Sequence, residues 1–269
     1  MIFDIQRGSY VDGPGIRTTV FFKGCNLKCK WCHNPESQSR NQQFLFYKDK
    51  CTGCGKCKQV CPHHFEKCDF CGKCALFCPH DAREICGKEY TVEEVLNEVI
   101  KDKDFFNTSG GGVTFSGGEC MLQIEFLLQI LKACKDKGIH TAVDTAGNVP
   151  WEYFEKILPY TDLFLYDVKC ISTQLHKDGT GVANTLILEN LKQLSKRDKE
   201  IIVRVPVIPE FNGSESEMQS IVKFVKELGF FKVEFLPYHA MGVHKWSAIG
   251  LQFTEYSVPS DDFLRKYSR

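Results

Sequence analysis

Eleven of the fifteen cysteines lie between Cys25 and Cys78, in three sets with short, regular spacings. The first set has three members, in the pattern C-x3-C-x2-C: Cys25, Cys29 and Cys32. The other two sets have four members each, in the pattern C-x2-C-x2-C-x3-C-P: Cys51, Cys54, Cys57 and Cys61, followed by Cys68, Cys71, Cys74 and Cys78. Such spacings are typical of iron–sulfur clusters. Because three thiolates leave one iron of a four-iron cluster without a protein ligand, the first set is the candidate catalytic centre.

The two four-cysteine sets match the bacterial pattern in which the fourth cysteine of each set binds the other cluster. That pattern predicts two crossed sets of ligands: Cys51, Cys54, Cys57 and Cys78 for one cluster, and Cys68, Cys71, Cys74 and Cys61 for the other. Structural zinc is the alternative, since C-x2-C pairs also build zinc ribbons. Two complete copies that each end in Cys-Pro favour iron and sulfur. Only six residues separate Cys61 from Cys68, so other pairings of these ligands stay open.

The three-cysteine set also has an alternative interpretation. It could hold zinc or a structural cluster whose fourth ligand comes from elsewhere in the chain, because structural zinc sites use four protein ligands. His33 is the nearest candidate for that fourth ligand. If the fourth position is vacant instead, a small molecule can bind iron there directly.

Length and composition exclude several classes of protein. A chain of 269 residues suffices for one barrel-sized domain, or for a domain with a small insert. Its 34 basic and 34 acidic residues balance and form no basic run, so we expect no nucleic-acid partner. The sequence has no long uninterrupted apolar run, and the start MIFDIQRGSY lacks a signal-peptide pattern. We therefore expect a cytoplasmic protein without membrane association, and we expect a monomer.

Outside the cysteine-rich segment, apolar strands alternate with helical patterns. Six strands are predicted, at Ile16–Phe22, Val113–Phe115, His140–Val143, Leu163–Val168, Ile201–Val207 and Val233–Leu236. Helices are predicted at Val92–Phe105, Met121–Lys137, Pro150–Leu158, Asn184–Leu194 and Glu215–Leu228, with C-terminal caps at Gly138 and Gly229. This order indicates an α/β fold with a parallel sheet, either open and doubly wound or a closed or partial barrel.

The cysteine-rich segment does not follow the alternation of strands and helices, because it is short, cysteine-dense and interrupted by Pro and Gly. We predict that residues 47–86 form a small ferredoxin-like insert with two clusters. Residues 1–46 would then form the first part of the barrel, with the loop of the first cluster, and residues 87–269 the remainder.

Most of the unusual polar residues follow the predicted C-terminal end of a strand. Cys25 follows the first strand, Ser116-Gly117-Gly118-Glu119 the second and Asp144-Thr145 the third. Asp167-Val168-Lys169 ends the fourth strand, and Tyr238-His239 follows the sixth. Because parallel β/α folds carry their active site at that edge, we expect these residues to form one site.

Two segments beside the first cysteine set carry a family resemblance. They read Asp12-Gly-Pro-Gly-Ile-Arg17 and Phe22-Lys-Gly-Cys-Asn-Leu-Lys-Cys-Lys-Trp-Cys-His-Asn34-Pro. Together they resemble the signature of the radical S-adenosylmethionine (SAM) enzymes that activate glycyl radical enzymes, and the resemblance runs through nearly the whole chain. The chain is similar to the subgroup with a two-cluster insert, which includes the activating enzymes of hydroxyproline dehydratase, choline lyase, glycerol dehydratase and arylacetate decarboxylase.

The resemblance implies a partial (β/α)6 barrel with the open cluster at its mouth, three [4Fe–4S] clusters in all, and SAM bound to the open iron. Gly117-Gly118-Glu119 resembles the family motif that holds the SAM ammonium, which suits a bare backbone and a carboxylate. Asp167-Val168-Lys169 resembles a motif whose lysine neutralises the SAM carboxylate. Asp144 and Asp167 match a site for a monovalent cation beside SAM, although each also suits a helix N-cap or loop position.

Further positions follow from the same resemblance. His239 matches the histidine that contacts the nucleoside, with a surface or core histidine as the alternative. Asn34 and Arg204 match polar positions near SAM or the incoming peptide, and Trp31 and His33 join the cofactor-binding set. The chain departs from the family where cysteines follow two of the motifs, and we interpret the cysteines outside the three sets as buried and structural: Cys86, Cys120, Cys134 and Cys170.

The implied reaction begins with one electron from flavodoxin or ferredoxin. SAM then splits into methionine and a 5′-deoxyadenosyl radical, which removes hydrogen from the Cα of one glycine in a partner glycyl radical enzyme. The insert would be an electron relay or a docking platform. Two other classes stay open: an electron carrier whose insert is the functional part, and a radical SAM enzyme that acts on a small molecule or matures another protein.

Overall fold

A seven-stranded sheet is the centre of the computed structural model, which describes residues 1–230 and 233–267. The described strands are β1 Ile2–Ser9, β2 Arg17–Phe22, β3 Gln43–Phe46, β4 Arg83–Cys86, β5 Gly112–Gly117, β6 Thr141–Thr145, β7 Leu163–Asp167, β8 Glu200–Val207 and β9 Val233–Pro237. The sheet order is β1-β2-β5-β6-β7-β8-β9, with β1 antiparallel to β2 and the other neighbours parallel. The six predicted strands are β2 and β5 to β9, and the predicted α/β fold with a parallel sheet is confirmed.

Helices connect the parallel strands. The described α-helices are α1 Lys56–Val60, α2 Lys73–Leu76, α3 Val92–Ile100, α4 Lys103–Ser109, α5 Ile124–Asp136, α6 Trp151–Ile157, α7 Thr173–Thr180, α8 Thr185–Leu194, α9 Pro209–Asn212, α10 Glu215–Glu227, α11 Val243–Ala248 and α12 Asp261–Tyr267. The predicted caps Gly138 and Gly229 follow α5 and α10 with φ values of 67° and 82°, a conformation that favours glycine. Among the described helices, none combines the length and apolar character needed to cross a bilayer.

Two differences from the predicted elements have local causes. The helix predicted over Val92–Phe105 is divided into α3 and α4, and Asp102 lies at the break. The Asp102 carboxylate accepts hydrogen bonds from Arg7 Nε at 2.9 Å and Thr18 Oγ1 at 2.6 Å. This tertiary contact with β1 and β2 stabilises the break. Strand β1 was not predicted, because most of its residues are only partly buried and form no apolar run.

The two faces of the sheet differ in chemistry, because side chains alternate along each strand. One face packs against the helices through the main core, to which it contributes Phe115, Val143, Phe164, Tyr166 and Val203. On the other face a small apolar cluster forms from Ala142, Leu163, Leu165 and Ile202. Farther along the same face, the strands carry polar residues toward their C-terminal ends: Thr114, Ser116, Asp144, Asp167 and Arg204.

The cysteine-rich segment lies between the two strands of a small antiparallel sheet. In that sheet Phe46 is paired with Arg83, and Gln43 with Cys86. Helices α1 and α2 are short and each begins after a glycine with positive φ, Gly55 and Gly72. The division into residues 1–46, 47–86 and 87–269 stays a prediction.

Candidate active site

The first cysteine set lies on a loop after β2, residues 24–38, which we call the cluster loop. Near its start, the Gly24 N–H donates to the Ser37 carbonyl at 2.7 Å, and the Gly24 carbonyl accepts from the Glu119 N–H at 2.8 Å. Farther along, the Lys28 N–H donates to the Thr180 carbonyl, in α7, at 2.7 Å. The cluster loop is therefore fixed to the end of β5 on one side and to α7 on the other.

A cavity of about 120 Å³ lies between the cluster loop and the ends of β5, β6 and β7. Its lining residues are Cys25, Leu27, Cys29, Cys32, Ser37, Gln38, Ser116, Gly117, Gly118, Asp144, Thr145, Ala146, Asp167 and Lys169. The structure thus brings the three thiols together with residues from three predicted strand ends. The other predicted cofactor-binding residues lie outside this lining: Trp31, His33, Asn34, Glu119, Val168, Arg204 and His239.

The chemistry of the three thiols fits an iron–sulfur cluster. Burial raises the pKa of the Cys25 and Cys29 thiols to about 12, so an isolated thiolate is unfavourable at either position. Iron would supply the positive charge that stabilises thiolates there. Cys29 lies in an apolar cluster with Trp31 and Phe211, whose ring centroids are 4.1 Å apart. Trp31 therefore packs behind the cysteine set.

Gly117 and Gly118 are required where the end of β5 approaches the end of β2 and the start of the cluster loop. Gly117 has a φ of 114°, and a Cβ there would lie 2.3 Å from the backbone nitrogen of Phe22. A Cβ on Gly118 would lie 2.4 Å from the carbonyl oxygen of Gly24. The glycine pair therefore allows the backbones to meet, and it also leaves a bare backbone on the cavity wall.

Glu119 is fully buried and joins the end of β5 to the end of β6. Its carboxylate accepts hydrogen bonds from Thr145 Oγ1 at 2.9 Å, the Ala146 N–H at 3.1 Å and the Met121 N–H at 3.2 Å. Burial raises the pKa of Glu119 to about 7, against the opposing effect of the Thr145 hydrogen bond. The predicted contact of Glu119 with the SAM ammonium stays a prediction.

Asp167 and Lys169 form an ion pair on the cavity wall. Lys169 Nζ donates to Asp167 Oδ2 at 2.8 Å. Burial by itself lowers the pKa of Lys169, but the Asp167 carboxylate and the neighbouring Cys29 and Cys25 together outweigh that effect, and the pKa is raised above its ordinary value. Lys169 is therefore a cation at neutral pH. Val168 packs in the main core on the helix side, and its N–H donates to the Arg204 carbonyl at 2.9 Å. Its predicted place among the cofactor-binding residues stays a prediction.

Asp144 is held between a hydroxyl group and a guanidinium group. Its Oδ2 accepts a hydrogen bond from Ser116 Oγ at 2.7 Å and lies 3.5 Å from Arg204 Nη1. Burial raises the pKa of Asp144 to about 6, although Arg204 acts in the opposite direction. Within the described residues, Arg204 Nε and Nη1 are buried without a hydrogen-bond partner. These nitrogens are donors that a bound ligand could use.

Three predicted residues, His33, Asn34 and His239, lie outside the cavity lining near the end of β9. The rings of His33 and His239 meet edge to face, with centroids 4.5 Å apart, and both residues are exposed. Asn34 Oδ1 accepts a hydrogen bond from Lys245 Nζ at 2.7 Å. The two histidines and Asn34 thus lie on one side of the cluster loop.

Helix α11 contributes two site residues that the sequence did not identify. Lys245 binds Asn34 and also pairs with Glu36 at 2.8 Å. Trp246 Nε1 donates to the Cys32 carbonyl at 3.0 Å. Neither residue forms part of a motif, and both are more than 200 positions away from their partners along the chain, so only the folded structure relates them.

The two four-cysteine sets surround two cavities of about 330 Å³ each. One cavity is lined by Cys61, Cys68, Cys71 and Cys74, and the other by Cys51, Cys54, Cys57 and Cys78. In residues 1–230 and 233–267, no three His, Cys, Asp or Glu side chains converge closely enough to hold a single metal ion. The four thiols around each cavity, three from one set and one from the other, are spread around a space large enough for a group of several atoms.

Comparison with known proteins identifies the family. The model of the radical SAM superfamily matches residues 57–225, and that of the 4Fe-4S binding domain matches residues 45–65. The trans-4-hydroxy-L-proline dehydratase activating enzyme of Clostridioides difficile is 43% identical, over 100% of this chain and 95% of that protein. The choline trimethylamine-lyase activating enzyme of Oleidesulfovibrio alaskensis is 42% identical, over 94% and 88%.

A solved structure agrees with these relatives. A domain of pyruvate-formate lyase-activating enzyme from Bacteroides vulgatus superimposes with a TM-score of 0.50 and 31% identity, over 58% of this chain and 90% of that one. The chain therefore belongs to the radical SAM superfamily and, within it, to the activating enzymes of glycyl radical enzymes. It is an enzyme that generates a glycyl radical, with [4Fe–4S] clusters and SAM as its cofactors.

The buried carboxyl group of Glu119 should make stability depend on pH. Its pKa of about 7 in the folded protein exceeds the ordinary value of 4.5, so between these values the folded state binds more protons than the unfolded state. Stability is therefore lost as pH rises through that range. Between about pH 4.5 and pH 7, we expect the free energy of unfolding of wild type to fall by about 3 kcal/mol more than that of Glu119→Gln, which has no carboxyl group at this position to ionise.

Urea unfolding of the metal-free protein at a series of pH values, under reducing conditions, measures this difference. Glu93→Gln, at an exposed position of α3, is the matched control and should follow the wild-type profile. Identical profiles for wild type and Glu119→Gln would contradict the assignment.

Proposed function

We propose that this enzyme binds three [4Fe–4S] clusters and SAM, and that it forms a radical on one glycine of a partner glycyl radical enzyme. The observation that carries the proposal is the shared cavity of the three thiols, the glycine pair and the Asp167–Lys169 ion pair. In the proposal, Cys25, Cys29 and Cys32 hold the first cluster. Residues 47–86 hold the other two clusters in the crossed pairing, which is supported by the thiol sets of the two cavities.

Cys25, Cys29 and Cys32 would hold a cluster that, when bound, would supply the one electron that splits SAM into methionine and the 5′-deoxyadenosyl group, which would take a hydrogen atom from the glycine Cα of the partner. The residues of this chain bind and orient. Lys169 provides positive charge for the SAM carboxylate, and the bare backbone of Gly117 and Gly118 admits the ammonium close to β5. The Glu119 carboxylate complements that ammonium. A general acid or base is not required.

The remaining residues have supporting roles in the proposal. Asp144 and Asp167 bind a monovalent cation beside SAM, which suits two carboxylates on one cavity wall. Arg204 forms an ion pair with Asp144 through Nη1, and its Nε, which is buried without a hydrogen-bond partner, is the donor proposed for SAM or the incoming peptide. His33 and His239 contact the nucleoside at the rim, where both side chains are accessible. Asn34 lies next to them, oriented by Lys245.

The partner is a glycyl radical enzyme of the dehydratase, lyase or decarboxylase type. The names of the relatives support this range, since they activate trans-4-hydroxy-L-proline dehydratase, choline trimethylamine-lyase, (2S)-3-sulfopropanediol dehydratase and 4-hydroxyphenylacetate decarboxylase. Flavodoxin or ferredoxin is the proposed reductant, and the enzyme acts as a cytoplasmic monomer.

A substitution in the first cysteine set tests the proposed cluster directly. In Cys29→Ala, we expect SAM cleavage under dithionite to fall at least about 1,000-fold, since the cluster would lose one of three protein ligands. The glycyl radical signal of the partner, measured by electron paramagnetic resonance, should disappear with it. Cys134→Ala removes a buried cysteine of α5 that lies outside the three sets, and should keep both activities.

The outcome that would overturn the proposal is normal SAM cleavage by Cys29→Ala with iron content unchanged. SAM cleavage without a protein radical in any candidate partner would instead support a radical SAM enzyme with another substrate. Absence of SAM cleavage in the fully reconstituted wild type would support an electron carrier.

The role of the insert needs a separate experiment. We propose that its two clusters pass electrons to the first cluster. In the double variant with Cys54→Ala and Cys71→Ala, SAM cleavage driven by flavodoxin should fall at least about 10-fold, while cleavage driven by dithionite should fall less, because a small reductant can reach the first cluster directly. The variant Cys86→Ala, at a buried cysteine of β4, is the control.

Equal rates in the double variant and wild type with both reductants would exclude the relay. If partner activation then fails although SAM cleavage is normal, the insert serves as the docking platform.

A further inference from the structure

Arg83 lies on β4 in a cage of three phenylalanine rings. The centre of its guanidinium group is 4.5 Å from the ring centroid of Phe65, 4.7 Å from that of Phe46 and 5.3 Å from that of Phe44. The register of the small sheet accounts for two of these contacts, since Phe46 is paired with Arg83 and Phe44 lies two residues away on the same face. A guanidinium group is weakly hydrated and keeps its charge, so it suits such an environment.

Arg83 also separates the two cavities that the four-cysteine sets surround. The two linings have two residues in common, Arg83 and Phe65, and otherwise differ. The other basic residues each line a single cavity: Lys67 lines the one with Cys61, and Lys56 and Lys58 line the one with Cys51. Arg83 is thus the basic residue that both linings share.

The backbone at Phe65 places its ring at this boundary. Phe65 has a φ of 70°, a conformation that a residue with a bulky side chain rarely adopts. Its N–H donates to Cys61 Sγ at 3.3 Å. Its side chain is 40% exposed, so packing in a hydrophobic core does not fix the position of the ring. This backbone conformation places the Phe65 ring against the Arg83 guanidinium group.

We propose that Arg83 sets the reduction potentials of both insert clusters together, with Phe65 as the aromatic residue that positions it. This rests on the proposed function, in which the insert holds two [4Fe–4S] clusters. Each cluster gains one electron, and therefore one negative charge, when the external donor reduces it. A fixed positive charge beside both clusters stabilises both reduced states, and the aromatic cage reduces the screening of that charge by water.

The test is a redox titration of the reconstituted full-length enzyme with dithionite, followed by electron paramagnetic resonance. In Arg83→Gln, we expect the potentials of both insert clusters to fall. Arg83→Lys keeps the charge and should keep both potentials near the wild-type values. The first cluster, recognised by the response of its signal to SAM, is an internal reference, because Arg83 does not line its cavity.

Lys67→Gln is the matched control, since Lys67 is exposed and lines one cavity alone. It should shift one potential at most, and by less than Arg83→Gln does, because water screens exposed charges. Phe65→Leu should lower both potentials in part, since it removes an aromatic contact that positions Arg83.

Several outcomes overturn the proposal. Unchanged potentials in Arg83→Gln, a shift of one insert cluster only, or an equal shift of the first cluster would each do so. If Arg83→Gln loses its clusters, Arg83→Lys tests the electrostatic role instead. Reduction potentials that fall in Arg83→Lys, although the positive charge is retained, would exclude that role. Iron analysis separates this result from failure of the proposed function, for which wild type would hold far fewer than about twelve irons.

Discussion

The close contact of the glycine pair at the end of β5 with the end of β2 and the start of the cluster loop determines where the other groups of the site lie. A Cβ at Gly118 would approach the Gly24 carbonyl to 2.4 Å, and that carbonyl accepts a hydrogen bond from the Glu119 N–H. The loop with the three thiols is thereby held over the strand ends, where the side chains of β6 and β7 can face it. A larger residue would separate the loop from the strands and open the cavity.

The arrangement of charge in the site follows from the alternation of side chains. On β7, Phe164 and Tyr166 face the helices, so Asp167 faces the cavity, and Lys169 returns to that side after the buried Val168. A carboxylate and an ammonium two residues apart form an ion pair at 2.8 Å. A buried lysine would otherwise lose its proton more readily, so the pairing keeps a positive charge available for an anionic ligand group.

Much of the fold and part of the site could be predicted from the sequence, because both depend on local patterns. Apolar runs identified the six parallel strands, and motifs at their ends identified most of the residues that line the cavity with the thiols, although Ser37, Gln38 and Ala146 line it without having been predicted. The sequence did not identify Lys245, Trp246 or Arg83 as parts of a site. Their partners lie far away along the chain, or across a strand pair that was not predicted, and a single lysine, tryptophan or arginine carries no spacing signal.

Helix α11 contacts both the barrel site and the insert. Trp246 donates to the Cys32 carbonyl, at the third cysteine of the cluster loop, while the His244 ring lies 5.8 Å from that of Tyr47, next to β3. The loop with the three cysteines and the segment that follows β3 therefore share one support. An electron relay needs a fixed distance between clusters, and a docking platform needs the partner-binding surface to be held at a fixed distance from the cavity. The contacts satisfy both requirements equally, which is why rates with two different reductants discriminate between the two roles.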